Sequence, residues 1–170
     1  HGRLLNSDSL VPHGLLEDAI KGAIGLVEAS GHDLSALPRP NIEPKLVLGA
    51  PASIVAQILA HLIENALHAV DGDVTGIGLE ITLSESELCF EVRDRGKGMS
   101  ASMVERAFMP FLTTKPGLSS RSKDAGMGLT IAQALAHEVQ ASLRIESAPE
   151  QGTSVFFECP RLLGALSSPT

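Results

Sequence analysis

His61, Asn65 and His68 recur at spacings of four and three within the apolar run 51–70, PASIVAQILAHLIENALHAV. At about 100° per residue these three fall on one flank of a helix. A carboxamide oxygen there is a hard, neutral ligand of the kind Mg²⁺ takes when it escorts phosphates and keeps several waters. An isolated Asn on a helix is ordinarily solvated, so that chemistry needs company. Three further stretches supply it. Asp94-Arg95-Gly96-Lys97-Gly98-Met99 follows a strand-like run; a carboxylate at a strand end is a fixed acceptor, and glycines let backbone approach a flat ligand closely. Phe108-Met109-Pro110-Phe111-Leu112-Thr113-Thr114-Lys115 sets two Phe three residues apart, able to anchor one end of a loop. Thr114 and Lys115 then sit where that loop becomes free. Gly126-Met127-Gly128-Leu129 closes the loop and opens a helix, where unsatisfied N–H groups suit an anion. Lys115, Arg121 and Lys123 bring three positive charges into the same loop.

The elements that must position these residues are read from periodicity. Leu15 to Ala29 has helical spacing with acids near its start. Ser30 to Pro44 is a connection, and 45–49 reads as a short strand. Pro51 suits the first turn of the long helix that ends at Asp71-Gly72-Asp73. The alternating runs 78–83 and 88–94 predict an antiparallel hairpin, and 142–146 with 154–158 predict a second one across 148–152. Short helices are expected over 101–107 and 128–139, and residues 110–125 read as a mobile loop. The result is an α+β chain: a two-layer sandwich with a mixed, mostly antiparallel sheet and helices on one face. Residues 1–14 read as an N-terminal tail or linker remnant, 15–162 as one domain and 163–170 as a C-terminal tail.

Composition narrows the function. The chain has 170 residues, 44% hydrophobic and 19% charged, which excludes wholesale disorder. It has no Trp and no Tyr, and its five Phe are Phe90, Phe108, Phe111, Phe156 and Phe157. So few aromatics weaken a reading that needs stacking platforms for single strands, and the net charge of −7 argues against nucleic acid as a partner. No apolar run is long enough to span a membrane and no signal-peptide pattern opens the chain. Cys89 and Cys159 lie in apolar, strand-like surroundings and read as buried reduced thiols, which points to the cytoplasm. His1 in place of Met suggests a piece of something longer. Neither G-x-G-x-x-G opening a helix nor G-x-x-x-x-G-K-[ST] is present, so phosphate binding must use another scaffold.

The order of these stretches resembles the ATP-binding catalytic domain of sensor histidine kinases. There they are the N, G1, F and G2 boxes of the Bergerat fold, shared with gyrase, Hsp90 and MutL. The resemblance runs from about Leu15 to Pro160. LVLGAPASIVAQIL is similar to the entry to the N-box helix, ESAPEQGTSVFFECP to the closing hairpin with Gly152-Thr153, and FLTTK to the subgroup near nitrogen-regulation and oxygen-sensing kinases.

The resemblance implies the fold named above with a mobile ATP lid, and it implies ATP and Mg²⁺ as cofactors. Asn65 would coordinate Mg²⁺ and Asp94 would accept the adenine amino group. Gly96 and Gly98, followed by Met99, would admit the adenine, with Thr153 beside it. Gly126, Met127, Gly128 and Leu129 would cradle the phosphates, His68 would touch them, and Thr114 and Lys115 would close from the lid. His61 stands where gyrase-like hydrolases carry a water-activating Glu, while Glu64 lies about 100° round from Asn65. Without a base aimed at water, hydrolysis is slow and the γ-phosphoryl is kept for an acceptor. Asn65, His61 and Lys115 are thus the catalytic candidates.

The implied partners are the phosphoacceptor His dimerisation domain of the same kinase and a response regulator downstream, with the isolated domain monomeric. Asp124 departs from the usual glycine of the G2 box and would repel phosphate unless it points outward. His137-Glu138-Val139-Gln140 mimics a phosphoacceptor motif but follows the G2 helix, and Ser142 replaces its proline. The alternatives are a non-catalytic nucleotide-binding module, an anti-sigma-type Ser kinase and a gyrase-like ATPase.

Overall fold

The structure is a computed structural model and describes residues 14–43, 46–109 and 128–161. The first helix, α1 (Leu16–Ala29), buries Leu16, Ala19, Ile20, Ala23, Ile24 and Val27 at helical spacing, with Glu17 and Asp18 in its first turn. The strand expected over 45–49 is reduced to two isolated bridges, Leu15 with Val47 and Leu48 with Arg161. Backbone bonds flank these bridges, Leu16 N–H donating to the Leu46 carbonyl at 2.9 Å and Leu48 N–H to that of Gly14 at 2.8 Å. Gly49 passes so close to Pro160 that a Cβ there would lie 2.6 Å from the Pro160 carbonyl oxygen.

The second helix, α2 (Ala52–Ala69), starts after Pro51 at its N-cap. It buries Val55, Ala56, Ile58, Leu59, Ala60, Leu62, Ile63, Ala66 and Leu67, a face wider than one stripe. That width follows from its central place: α1 packs against it, α4 (Gly128–Glu138) packs against it, and it crosses the sheet. It stops where Asp71 (φ 52°) and Gly72 (φ 84°) turn left-handed. Gly72 N–H donates to the Leu67 carbonyl at 2.8 Å and Asp71 N–H to that of His68 at 3.3 Å, which satisfies the last turn.

Four strands, β1 (Ile77–Leu83), β2 (Glu87–Asp94), β3 (Ser142–Ser147) and β4 (Thr153–Pro160), form a sheet in the order β1-β2-β4-β3. Both expected hairpins are present, and every pairing among the described residues is antiparallel, where the sequence predicts a mixed, mostly antiparallel sheet. The β2–β4 pairing joins the two hairpins. At its centre Phe90 faces Phe157 across the strands, with ring centroids 5.3 Å apart. Leu88, Phe90, Val92, Val155, Phe157 and Cys159 turn to the helices and are buried. The opposite face is charged: Arg93 reaches Glu80 at 3.8 Å, and Arg144 pairs with Glu146 and lies over the Phe156 ring.

Leu88 opposes Cys159 and Cys89 opposes Glu158, so the two thiols point to opposite faces of the sheet. Cys159 is buried, which pushes its thiol up to about 11; Cys89 is only half-buried, short of the expectation that both would be enclosed. The short helix α3 (Ala101–Glu105) is capped by Ser100, whose Oγ accepts from Met103 N–H. It ends two residues sooner than its spacing predicts. No described helix is long and apolar enough to cross a membrane.

Candidate functional site

One row of α2 organises the site. His61, Asn65 and Ala69 follow at i, i+4 and i+8, so they lie one above another on a single flank, about 12 Å from end to end. At the first end, a Cβ added to Gly128 would lie 3.8 Å from His61 Nδ1, so the opening residue of α4 sits against the imidazole. At the other end, a Cβ on Gly96 would lie 2.5 Å from the Ala69 carbonyl oxygen. The row therefore runs from the start of α4 to the loop after β2, with half-buried Asn65 midway. His68 is exposed one turn on from Asn65, and half-buried Leu129 follows Gly128. Glu64 is turned away: its Oε1 accepts from Ser30 Oγ at 3.2 Å, beyond the end of α1.

Asp94 closes β2 with only 4% of its surface exposed. It is buried because it stands between Ile77 on one side and Thr153 on the other, on the helix-facing side of the sheet. Its Oδ1 accepts from Gly96 N–H at 2.8 Å. Burial pushes its pKa up, while the backbone N–H groups of Gly96 and Thr153 pull it down. Among the described residues no cation pairs with it. A buried acceptor surrounded by neutral donors suits the N–H edge of a neutral group.

The loop after Asp94 is held by contacts that only glycine permits. Gly98 has φ 68°, and a Cβ there would overlap the Ala148 carbonyl oxygen. Gly152 has φ 73°, and its Cβ would overlap the carbonyl oxygen of Asp94. Glu150 N–H donates to the Lys97 carbonyl at 2.7 Å. Half-buried Met99 donates its N–H to Ser147 Oγ at 2.8 Å. Ser147 Oγ lies 2.9 Å from the Gly152 carbonyl oxygen and 2.8 Å from Thr153 Oγ1. Thr153 is 7% exposed. Near the opening of α4, Thr130 Oγ1 donates to the Phe108 carbonyl at 2.9 Å.

The structure thus brings together His61, Asn65, Gly96 and Gly128, followed by Leu129, along α2, with Asp94 and Thr153 paired across β2 and β4 and Gly98 and Met99 against the 147–152 turn. Thr114, Lys115, Gly126 and Met127 lie outside the described residues, as do Phe111, Arg121, Lys123, Asp124 and the lid expected over 112–125. His137 is exposed in the last turn of α4 and leads into β3. Ala69 and Ser147 are site neighbours that the sequence pattern missed. Ala69 carries no polar signal, and Ser147 joins the site only through strand register.

Comparison with known proteins gives the family and the fold. Residues 51–163 match the family described as histidine kinase-, DNA gyrase B-, and HSP90-like ATPase. The cell-division control histidine kinase PdhS of Brucella ovis is 30% identical over 154 residues, covering 82% of this chain and 14% of PdhS. The sensor protein ChvG of Agrobacterium fabrum is 30% identical over 93 residues, covering 55% of this chain and 16% of ChvG. The chain therefore spans about a seventh of the length of these curated relatives. Among solved structures, the mycobacterial sensor histidine kinase MprB superposes with a TM-score of 0.64 at 15% identity, over 89% of this chain and 98% of that one. That likeness is one of fold.

Proposed function

The chain belongs to the histidine kinase-, DNA gyrase B- and HSP90-like ATPase family, and on that premise we propose that it is the ATP-binding catalytic domain of a two-component sensor histidine kinase. It binds MgATP and delivers the γ-phosphoryl to a His on a separate dimerisation domain of the same kinase, for onward transfer to a response regulator. The observation that carries this reading is the continuous line from buried Asp94, past Gly96 and Ala69, along Asn65 to His61 and the opening of α4. An adenine edge has its acceptor at one end, and phosphates have helix-end amides at the other.

Asp94 accepts from the adenine amino group, with Thr153 beside it. Gly96, Gly98 and Met99 form the backbone wall that lets the ring approach. Gly128 and Leu129, with Gly126 and Met127 before them, offer N–H groups to the phosphates. His68 adds a polar contact to them, and Thr114 with Lys115 closes over the terminal one. Among the described residues no cluster of three or more His, Cys, Asp or Glu could hold a metal. That fits a Mg²⁺ ion that takes its other ligands from phosphate and water, with Asn65 as the chain's own ligand. When bound, Mg²⁺ neutralises charge on the phosphoryl being transferred. His61 lines the phosphate end and offers its imidazole there. Glu64, engaged with Ser30, is poorly placed to activate water, which favours transfer over hydrolysis. A domain that spends ATP in signalling works in the cytoplasm.

The test is a MgATP transfer assay with a dimerisation domain supplied, run on the parent chain and on Asn65→Ala. Phosphohistidine on the supplied domain, lost by at least about a hundredfold in Asn65→Ala, is the expected result. MgATP binding with no transfer assigns the chain instead to a non-catalytic regulatory module. Phosphoserine on a partner assigns it to the anti-sigma type, and rapid steady hydrolysis to the gyrase-like type.

A further inference from the structure

Ser147 stands one strand away from the proposed adenine edge, at the end of a row that crosses the sheet. Ile77 opposes Asp94, Asp94 opposes Thr153, and Thr153 opposes Ser147. Every residue in that row shares one face. Ser147 Oγ has one proton to give and two lone pairs to receive with. Met99 N–H donates into it at 2.8 Å. The Gly152 carbonyl oxygen, 2.9 Å away, can only accept, so satisfying all three contacts of Ser147 Oγ at once requires its proton to go there. The remaining partner is Thr153 Oγ1 at 2.8 Å, and Ser147 has no second proton for it. Thr153 must therefore donate, and its own proton is committed to Ser147.

The consequence is chemical. Thr153 Oγ1, its proton committed to Ser147, has only lone pairs left to offer a ligand, on the residue that opposes Asp94 across the strands. Both side chains are nearly enclosed, at 7% and 4% exposure. Two buried acceptors side by side welcome an exocyclic amino group, which has two N–H donors. A carbonyl oxygen in the same place meets lone pairs only, and burial prevents water from relieving the mismatch. Adenine carries the amino group at that edge and guanine carries the carbonyl.

We propose that Ser147 is a positioning residue for nucleobase choice: by holding the Thr153 proton it fixes the site as acceptor-only and so selects adenine over guanine. This rests on the nucleotide-binding reading given above. A Thr153 hydroxyl freed from Ser147 can rotate and donate to a guanine carbonyl, so losing Ser147 should change selectivity as well as affinity. Recognition through buried hydrogen-bonding groups is where discrimination is steepest.

The experiment is calorimetric titration of the chain with MgATP and MgGTP, for the parent and for Ser147→Ala, Ser147→Cys and Ser147→Thr. The parent prefers ATP. In Ser147→Ala the ATP-over-GTP ratio falls about tenfold, with part of the change a gain in GTP binding. Ser147→Thr, which keeps the hydroxyl, restores the parent ratio to within about twofold. Should Ser147→Ala fail to fold, Ser147→Cys, a weak donor and acceptor of similar size, lowers the ratio by itself. A simple packing role would weaken both nucleotides in proportion. An unchanged ratio in Ser147→Ala, or in Ser147→Cys where Ala does not fold, overturns the role of Ser147. A parent that binds neither nucleotide instead overturns the reading beneath it.

Discussion

Asp94 shows how a single side chain can serve binding against stability. Its pKa is raised from 3.8 chiefly by burial. Between the unfolded and the raised folded value, the folded chain holds more protons than the unfolded one. Stability from this group is thus fully present below the unfolded value and is lost as pH rises through the folded value. At neutral pH without ligand the buried charge is a cost. Asp94→Asn removes it, and we expect the ligand-free melting temperature at pH 7 to rise by about 2–5 °C, a gap that shrinks in acid. The same substitution exchanges an acceptor pair for a donor and an acceptor, so the melting-temperature gain from MgATP should largely disappear. Thermal melts at pH 4 and pH 7, with and without nucleotide, check both halves. A variant that melts lower than the parent at pH 7 without ligand would contradict the account of burial.

At the scale of elements, the loop after β2 works because backbone meets backbone. Gly98 and Gly152 each combine a left-handed φ with a carbonyl where a Cβ would stand. Neither strain nor overlap can be relieved by rotating a side chain. Gly98→Ala should therefore cost about 2–4 kcal/mol and detach the loop from the 148–152 turn, read as lost amide protection at Glu150. Gly25 in α1 is the contrast, since nothing lies within 4 Å of an added Cβ. Gly25→Ala should stabilise the chain by about 0.5–1 kcal/mol in urea unfolding, because Ala is the better helix residue. A loss of stability there would mean that α1 is not the plain amphipathic helix described.

The whole molecule depends on the seam between two hairpins. Phe90 and Phe157 are fully buried and stacked across β2 and β4, and the same two strands end in Asp94 and Thr153. Phe90→Ala should cost about 3–5 kcal/mol in urea unfolding, the usual toll of a large cavity. Phe90→Leu, which nearly keeps the volume, should cost about 1–2 kcal/mol and leave MgATP affinity unchanged, because the edge-binding groups stay in register. A Leu variant that kept its stability but lost nucleotide would show that the seam also aims the site. The charged outer face adds little to this, since its ion pairs are exposed and screened.

The sequence by itself determined the elements and named most residues of the candidate site. Helical spacing gave α1 and α2, alternation gave both hairpins, and polar residues breaking those patterns marked Asn65, Asp94, Gly96, Gly98 and Gly128. These are local signals, set by which face each residue must turn inward. Tertiary structure decided what local patterns cannot carry. The β2–β4 pairing set Asp94 beside Thr153 and the β3–β4 pairing set Thr153 beside Ser147, because register links residues that local patterns do not. Helix packing set His61 against Gly128 and turned Glu64 toward Ser30. It reduced the strand expected over 45–49 to two bridges, one to Leu15 and one to Arg161. Periodicity says that a residue faces inward; only packing says which partner it meets there.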